Sequence, residues 1–398
     1  MTHTFDTAAM AACPFMPVFG APALSMERGL GTELWDTDGK RYLDFLGGIA
    51  VTSLGHANPV IAEAISRQAS TLLHVSNFFT NPQATAAAVK VNELLEAATG
   101  HAGQLFFTNS GAESNECALK LARKWGGRGR HTVVSAFGSF HGRTLATLAA
   151  TGQPAKHEPF APMPDGFKHV AWGDLDELRA SVDSSVAAVI IEPIQGEGGV
   201  NPAPAGYLQG VRDICDEVGA LMIVDEIQTG FARTGHWFGF EIDGVSPDVV
   251  TLAKAMGNGM PVGACWARTE VAAVFEPGDH GSTYSGTAIA TAAVSAVVDE
   301  MRRIDAPALA TAKGERLSGL LLELPQVTSV RGAGLILGVQ LVEGIDAPAV
   351  YRRLTELGLI CNAVNGSTLR LLPPITVSDD ELVEAVGLIR QALLEAAG

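Results

Sequence analysis

From about residue 84 the chain alternates short apolar runs of strand length with helical stretches. Gln104–Thr108 is followed by the helical Glu113–Trp125, then by Thr132–Ala136 and Val186–Glu192. The helix Gly206–Val218 comes next, then the apolar runs Ala220–Asp225 and Val249–Ala253. Short continuous apolar strands between helices predict an α/β fold, a mostly parallel sheet covered on both faces. In such sheets ligands bind at the carboxyl ends of the strands. The first 60 or so residues are broken by Pro and Gly, with strand-like pieces at Glu33–Trp35 and Tyr42–Phe45. After residue 285 an Ala-rich helix runs to Arg303. A helix near Leu309–Leu324, strands Val327–Val330 and Leu335–Val342 and a last helix from Asp379 complete a smaller α+β unit. The expected organisation is an N-terminal segment 1–65 joining the small domain, a large sheet domain 66–284 and a small C-terminal domain 285–398.

Composition narrows the function classes. With 398 residues, 47% hydrophobic and 18% charged, the chain is globular and long enough for two domains. A formal net charge of −16 argues against a nucleic-acid partner. Apolar runs are too short and too interrupted to span a membrane. No Lys or Arg precedes Arg28, so neither a secretory nor a transit peptide is expected, and the expected location is cytoplasmic. The cysteines Cys13, Cys117, Cys215, Cys265 and Cys361 lie far apart, as buried reduced thiols do, and no metal site is expected.

Three strand ends carry candidate chemistry. The apolar run Ala220–Val224 ends in Asp225, and a carboxylate there is costly unless a donor or cation meets it; a helix cap or local salt bridge would serve equally. Val249–Ala253 ends in Lys254, one of eight lysines. Burial depresses a lysine's pKa and makes its amine nucleophilic, while the plainer reading is a lysine reaching out of the sheet edge. The strand Phe106–Thr108 turns through Asn109-Ser110-Gly111-Ala112 into a helix, so that first-turn N–H groups form an anion site, or Ser110 simply caps a helix. A phosphate cradle, a carboxylate and a lysine at one sheet edge are together what pyridoxal 5'-phosphate requires: the carboxylate holds the ring nitrogen's proton and the lysine carries the aldehyde carbon. The interval from Asp225 to Lys254 fits one helix-and-strand passage between neighbouring strand ends.

The chain also resembles a known family, the class III aminotransferases of fold type I, from Trp35 to Pro374. The motifs are Gly47-Gly48-Ile49-Ala50-Val51, Leu54-Gly55-His56, His74-Val75-Ser76-Asn77, Asn109-Ser110-Gly111-Ala112-Glu113 and Phe140-His141-Gly142-Arg143. They continue with Glu192-Pro193-Ile194-Gln195-Gly196-Glu197-Gly198-Gly199, Asp225-Glu226-Ile227-Gln228-Thr229-Gly230 and Leu252-Ala253-Lys254. His280-Gly281-Ser282-Thr283 and Arg370-Leu371-Leu372-Pro373-Pro374 complete the set.

The resemblance implies a fold type I transferase in which Ser110, Gly111 and Ala112 bind the phosphate. Phe140 and Ile227 would close the two ring faces, Gln228 would sit near the ring hydroxyl, and Asp225 would pair with the ring nitrogen. Thr283, with Ser282 beside it, would reach the partner subunit's cofactor, implying a homodimer with shared active sites. Arg143 would take the substrate carboxylate and Arg370 the α-carboxylate of the keto acid, with Glu197 as the switchable partner of Arg370. The implied reaction moves the terminal amino group of N2-acetylornithine to 2-oxoglutarate. Ornithine, succinyl-diaminopimelate, 4-aminobutyrate or another ω-amino acid are alternative donors, and an aminomutase is the competing reaction class. The family usually continues with Gly-Gly-Asn-Pro where this chain has Ser285-Gly286-Thr287-Ala288, Gly where it has Ala255, and a larger residue where it has Ala333.

Overall fold

The computed structural model describes residues 15–19, 22 and 24–397. Cys13 and the rest of the first 14 residues lie outside them, while Cys117, Cys215, Cys265 and Cys361 are buried free thiols. Among the described residues no helix is long and apolar enough to cross a membrane.

The central sheet has seven strands, in the order Gly103–Thr108, Gly263–Arg268, Val249–Leu252, Leu221–Asp225, Val186–Ile191, Thr132–Ala136 and Phe167–Val170. The strands Val186–Ile191, Leu221–Asp225, Val249–Leu252 and Thr132–Ala136 are buried at every position. Val, Ile, Leu and Ala on both faces suit a sheet layered between helices. Helices Gly111–Gly126 and Tyr207–Val218 supply such layers, burying Cys117, Leu121 and Ala122 in one case and Leu208, Val211 and Ile214 in the other. Gly263–Arg268 alone runs antiparallel to its neighbours in this sheet. Its Trp266 is fully buried and donates its indole N–H to Asn92 Oδ1 at 2.8 Å.

Register decides what meets at the sheet edge. Asp225 stands opposite Thr251, and Val224 opposite Ile191, so Glu192 follows directly beside Asp225. Gly263 pairs with Thr108 and Ala264 with Leu252, bringing the Asn109–Ala112 turn and Lys254 to the same edge.

The passage from Asp225 to Val249 corrects one expectation. The strand ends are neighbours, but the link holds only the 3-10 turn Gly239–Asp243 and no α-helix. Gly230, Gly235, Gly239, Gly244 and Pro247 interrupt any helical run. Glu226 organises the link instead: it accepts from Thr229 Oγ1 at 2.6 Å and from the N–H groups of Gly239 and Phe240 at 2.9 and 2.8 Å.

Two further sheets flank the site. Met26–Leu30, Glu33–Asp36 and Arg41–Asp44 form an antiparallel set extended by Leu359–Ile360, so segments from both ends of the chain share one sheet. Val327–Ala333, Ile336–Leu341, Thr368–Leu371 and Asn362–Asn365 form the other, with Arg370 opposite Gly338 and Asn362. The fully buried Arg233 ties these pieces together, donating to the carbonyls of Leu335 (3.1 Å) and Pro373 (2.5 Å) and to Ser53 Oγ (2.6 Å).

Gly263 sits where the two halves of the sheet edge meet. A Cβ there would lie 2.6 Å from both the Leu252 carbonyl and Ser114 Oγ, and 2.7 Å from Thr108 Oγ1. Gly263→Ala is expected to destabilise the fold by about 1–3 kcal/mol by overpacking. Chemical denaturation of the two proteins checks this, with an unchanged midpoint as the contrary result.

Candidate active site

A cavity of about 410 Å³ opens at the carboxyl edge of the central sheet, within the size range of small-molecule and cofactor sites. Ser110, Gly111, Ala112, Phe140, Arg143, Glu197, Asp225, Ile227, Gln228 and Lys254 all line it. Arg370 abuts it through its hydrogen bonds to Glu197 and Gln228.

Asp225 is the most tightly held of these groups. It is 5% exposed, and its Oδ2 accepts from Asn115 Nδ2 and from the His141 Nδ1–H, each at 2.8 Å, while Oδ1 accepts from the N–H of Ile227 at 3.1 Å. Asn115 also donates to the His141 carbonyl at 2.7 Å, locking the three together. Its side chain leaves the helix Gly111–Gly126 one turn below the N-terminus. There Ser110 caps the helix by accepting from the N–H of Glu113 at 3.2 Å. The first-turn N–H groups of Gly111 and Ala112 point out of the helix end, as an anion site requires. A Cβ at Gly111 would stand 2.7 Å from Ile227 Cδ1, so a larger residue there would push the Ile227 side chain aside.

Lys254 follows the strand Val249–Leu252 with φ +47°, a left-handed conformation that strains a lysine. Burial, helped by Arg370, outweighs the pull of Glu197, Asp225 and Glu192 and lowers its ammonium to about 8. Phe140 presents its backbone N–H to Glu192 Oε2 at 3.1 Å.

Arg370 is fully buried. Its Nη1 donates to Glu197 Oε1 at 2.5 Å and to Gln228 Oε1 at 3.3 Å, and its Nε donates to Asn362 Oδ1 at 3.1 Å. Its Nη2 is buried with no protein partner among the described residues. Burial would raise the Glu197 carboxyl, but Arg370 holds it below the ordinary range. Arg143 is exposed at the rim, with its guanidinium 5.6 Å from the Phe140 ring centre. Lys156 lies at the same distance from that ring.

Ser282 and Thr283 do not line this chain's cavity. Ser282 Oγ accepts from Asn109 Nδ2 at 3.0 Å, while Thr283 is exposed. Sequence reasoning passed over Asn115 and Lys156, and gave Glu192 no role although it ends an apolar strand as Asp225 does.

These residues fit pyridoxal phosphate. The helix N-terminus at Gly111 would hold the phosphate, Asp225 would accept from a protonated ring nitrogen, Lys254 would supply the amine, and Phe140 and Ile227 would close the ring faces. With Lys254 lowered to about 8, the uncharged amine dominates above that pH. The rate at which pyridoxal phosphate binds covalently to apoenzyme is therefore expected to rise with pH and level off above about 8. Stopped-flow absorbance over pH 6–10 measures this, and a midpoint near the ordinary lysine value of about 10.4 would contradict it.

Comparison with known proteins agrees with this geometry. The family model "Aminotransferase class-III" matches residues 18–393. An acetylornithine aminotransferase of Corynebacterium efficiens is 46% identical over 386 residues, 95% of this chain and 94% of that protein. One from Methanopyrus kandleri is 45% identical over 367 residues, 92% of this chain and 93% of that protein. Among solved structures, the ornithine aminotransferase of Toxoplasma gondii superposes with a TM-score of 0.91 at 30% identity, covering 98% of this chain and 94% of that chain. The N-acetylornithine aminotransferase of Stenotrophomonas maltophilia gives 0.81 at 32% identity, covering 94% and 96%. A match across nearly the whole chain, on a fold type I architecture with a lysine and a carboxylate at neighbouring strand ends, makes the chain a member of the pyridoxal-phosphate-dependent class-III aminotransferases.

Proposed function

We propose that the chain transfers the terminal amino group of N2-acetylornithine to 2-oxoglutarate, forming N-acetylglutamate semialdehyde and glutamate, as a cytoplasmic homodimer with shared active sites. The observation that carries the two-substrate reading is Arg370, buried beside the cavity with one nitrogen lacking a partner among the described residues and another on Glu197. A reaction that releases one carbonyl product and admits a second keto acid needs a carboxylate site that can be masked and unmasked. An aminomutase, which keeps its intermediate, does not. The names carried by the C. efficiens and M. kandleri relatives support the acylated donor.

Pyridoxal phosphate, when bound, supplies the aldehyde carbon that takes the amino group and a ring that accepts the electron pair released next to it. Lys254 would hold the cofactor through its side-chain amine and would serve as the acid–base group that takes and returns a proton. An amine lowered to about 8 both takes and returns a proton near neutral pH. Asp225, fixed by Asn115 and His141, would hold the ring nitrogen's proton, and Gln228 would bind the ring hydroxyl. Ser110, Gly111 and Ala112 would hold the phosphate, and Thr283 with Ser282 would serve the partner subunit's site. Phe140 and Ile227 would shield the ring faces from water.

The two arginines divide the substrates. Acetylornithine carries its carboxylate at the end remote from the reacting amine, which suits Arg143 at the rim. 2-Oxoglutarate has one carboxylate next to the reacting carbon, which suits Arg370. Glu197 neutralises Arg370 while acetylornithine is bound and turns aside for the keto acid.

Two experiments test this reading. A panel of N2-acetylornithine, ornithine, succinyl-diaminopimelate and 4-aminobutyrate, each with 2-oxoglutarate, is expected to give the highest kcat/KM for glutamate formation with acetylornithine; a higher value for any other donor reassigns the substrate. In single-turnover kinetics, Arg370→Ala is expected to slow the half-reaction with 2-oxoglutarate by roughly 30- to 1000-fold, the loss of about 2–4 kcal/mol from a charged bidentate contact. The half-reaction with acetylornithine should be largely spared. Equal damage to both halves would show that the arginines are not partitioned in this way.

A further inference from the structure

We propose that Glu192 is a positioning residue held as the neutral carboxylic acid, fixing Phe140 through its backbone N–H and adding no second negative charge beside Asp225. Glu192 ends the strand Val186–Ile191 as Asp225 ends the adjacent parallel strand, and the register of Ile191 against Val224 makes the two residues lateral neighbours. Both are buried, 6% and 5% exposed, and both line the cavity.

Their hydrogen bonding is unequal. Asp225 accepts from Asn115, His141 and the N–H of Ile227. Among the described residues Glu192 accepts only from the N–H of Phe140, through Oε2. One backbone donor does not compensate a buried charge, whereas a neutral carboxyl has no charge to compensate and keeps an oxygen to accept from Phe140. Two carboxylates at adjacent strand ends also repel, and neutralising the less solvated one relieves the pair. Of the other charged groups acting on Glu192, Lys254 favours its ionised form and Glu197 opposes it. Burial first and Asp225 second push the carboxyl well above its ordinary range. In the neutral state the Phe140 backbone is pinned at the cavity wall, and the negative charge offered to a ring nitrogen is confined to Asp225.

The inference rests on the cofactor occupying this cavity but not on the identity of the amino donor. Three readouts test it without any donor. Infrared difference spectra of wild-type holoenzyme minus Glu192→Gln at pH 7 are expected to show a protonated-carboxyl C=O band that the variant lacks. The subtraction separates this band from Glu226, which burial raises to about 7. The pH midpoint of the bound cofactor's visible absorbance is expected to stay in place in Glu192→Gln, because one neutral group replaces another. Removal of an ionised carboxylate acting on Lys254 would instead move it down by on the order of one pH unit. Glu192→Ala, which leaves the Phe140 N–H without an acceptor, is expected to raise the cofactor dissociation constant about tenfold. The Gln side chain, still able to accept from Phe140, should restore wild-type retention to within about twofold. Absence of the band, a shifted midpoint, or a Gln variant that loses cofactor as readily as the Ala variant would each overturn the assignment. An unexpected donor specificity would leave it untouched.

Discussion

The site depends on a carboxylate buried at the tip of an apolar strand. Asp225 can stand there only because donors converge on it, since an unmatched charge in that position would cost far more than the fold's margin of stability. One donor, Asn115, belongs to the helix whose N-terminus forms the anion cradle, four residues after Gly111. The separation between the cradle and the carboxylate is therefore set by a single turn of one rigid helix. A ligand with a phosphate at one end and a basic nitrogen across its ring is measured against that turn. Gly111 lets Ile227 close over the helix end, and Ile227 in turn gives its N–H to Asp225.

Lys254 completes the constraint from the neighbouring strand. Parallel pairing in register puts Asp225 opposite Thr251, and the chain then turns sharply through the positive φ of Lys254. Antiparallel pairing of Gly263 with Thr108 brings the cradle strand up on the far side, with so little space that a methyl group at Gly263 would strike Leu252, Ser114 and Thr108. Cradle, carboxylate and amine are thus fixed by hydrogen-bonded sheet geometry rather than by mobile loops, which is the arrangement that preorganised chemistry requires.

Asp225 and Lys254 were legible in the sequence because a charge ending an apolar run contradicts the pattern around it. The same contradiction marks Glu192 after Val186–Ile191. The link between Asp225 and Val249 was misjudged because interval length alone suggested a helix, while its glycines and the side chain of Glu226 build a looped connection. Asn115 could not be read at all, since a polar residue within a helix is ordinarily solvent-facing and only the tertiary fold aims it at Asp225. Arg370, between the buried Leu369 and Leu371, was recognisable only through its motif; its strand neighbour Gly338 lies far off in sequence, and Asn362 stands across the adjoining hairpin. The antiparallel direction of Gly263–Arg268 left no trace either, because side-chain alternation is the same for either direction of a strand.

In the proposed reaction the pairing of Glu197 with Arg370 would place a movable group on a fixed frame. Arg331 donates to the carbonyls of Gly199 and Val200 at 2.6 and 3.0 Å, and to Gln340 Oε1 and Thr368 Oγ1, each at 3.1 Å. The loop carrying Glu197 is thereby tied to the sheet that carries Arg370. On either side of Glu197 the backbone is pressed against its surroundings: a Cβ at Gly196 would meet Gln228 Oε1 at 2.0 Å, and one at Gly198 would meet the Gly138 carbonyl at 2.7 Å. With the loop held at three points, the freedom left to Glu197 is rotation of its side chain. Such a rotation is a picosecond-to-nanosecond event when the side chain is unpaired. The step that limits any masking and unmasking of Arg370 is then the breaking of one charge-assisted hydrogen bond, which an incoming carboxylate replaces in kind as it binds Arg370.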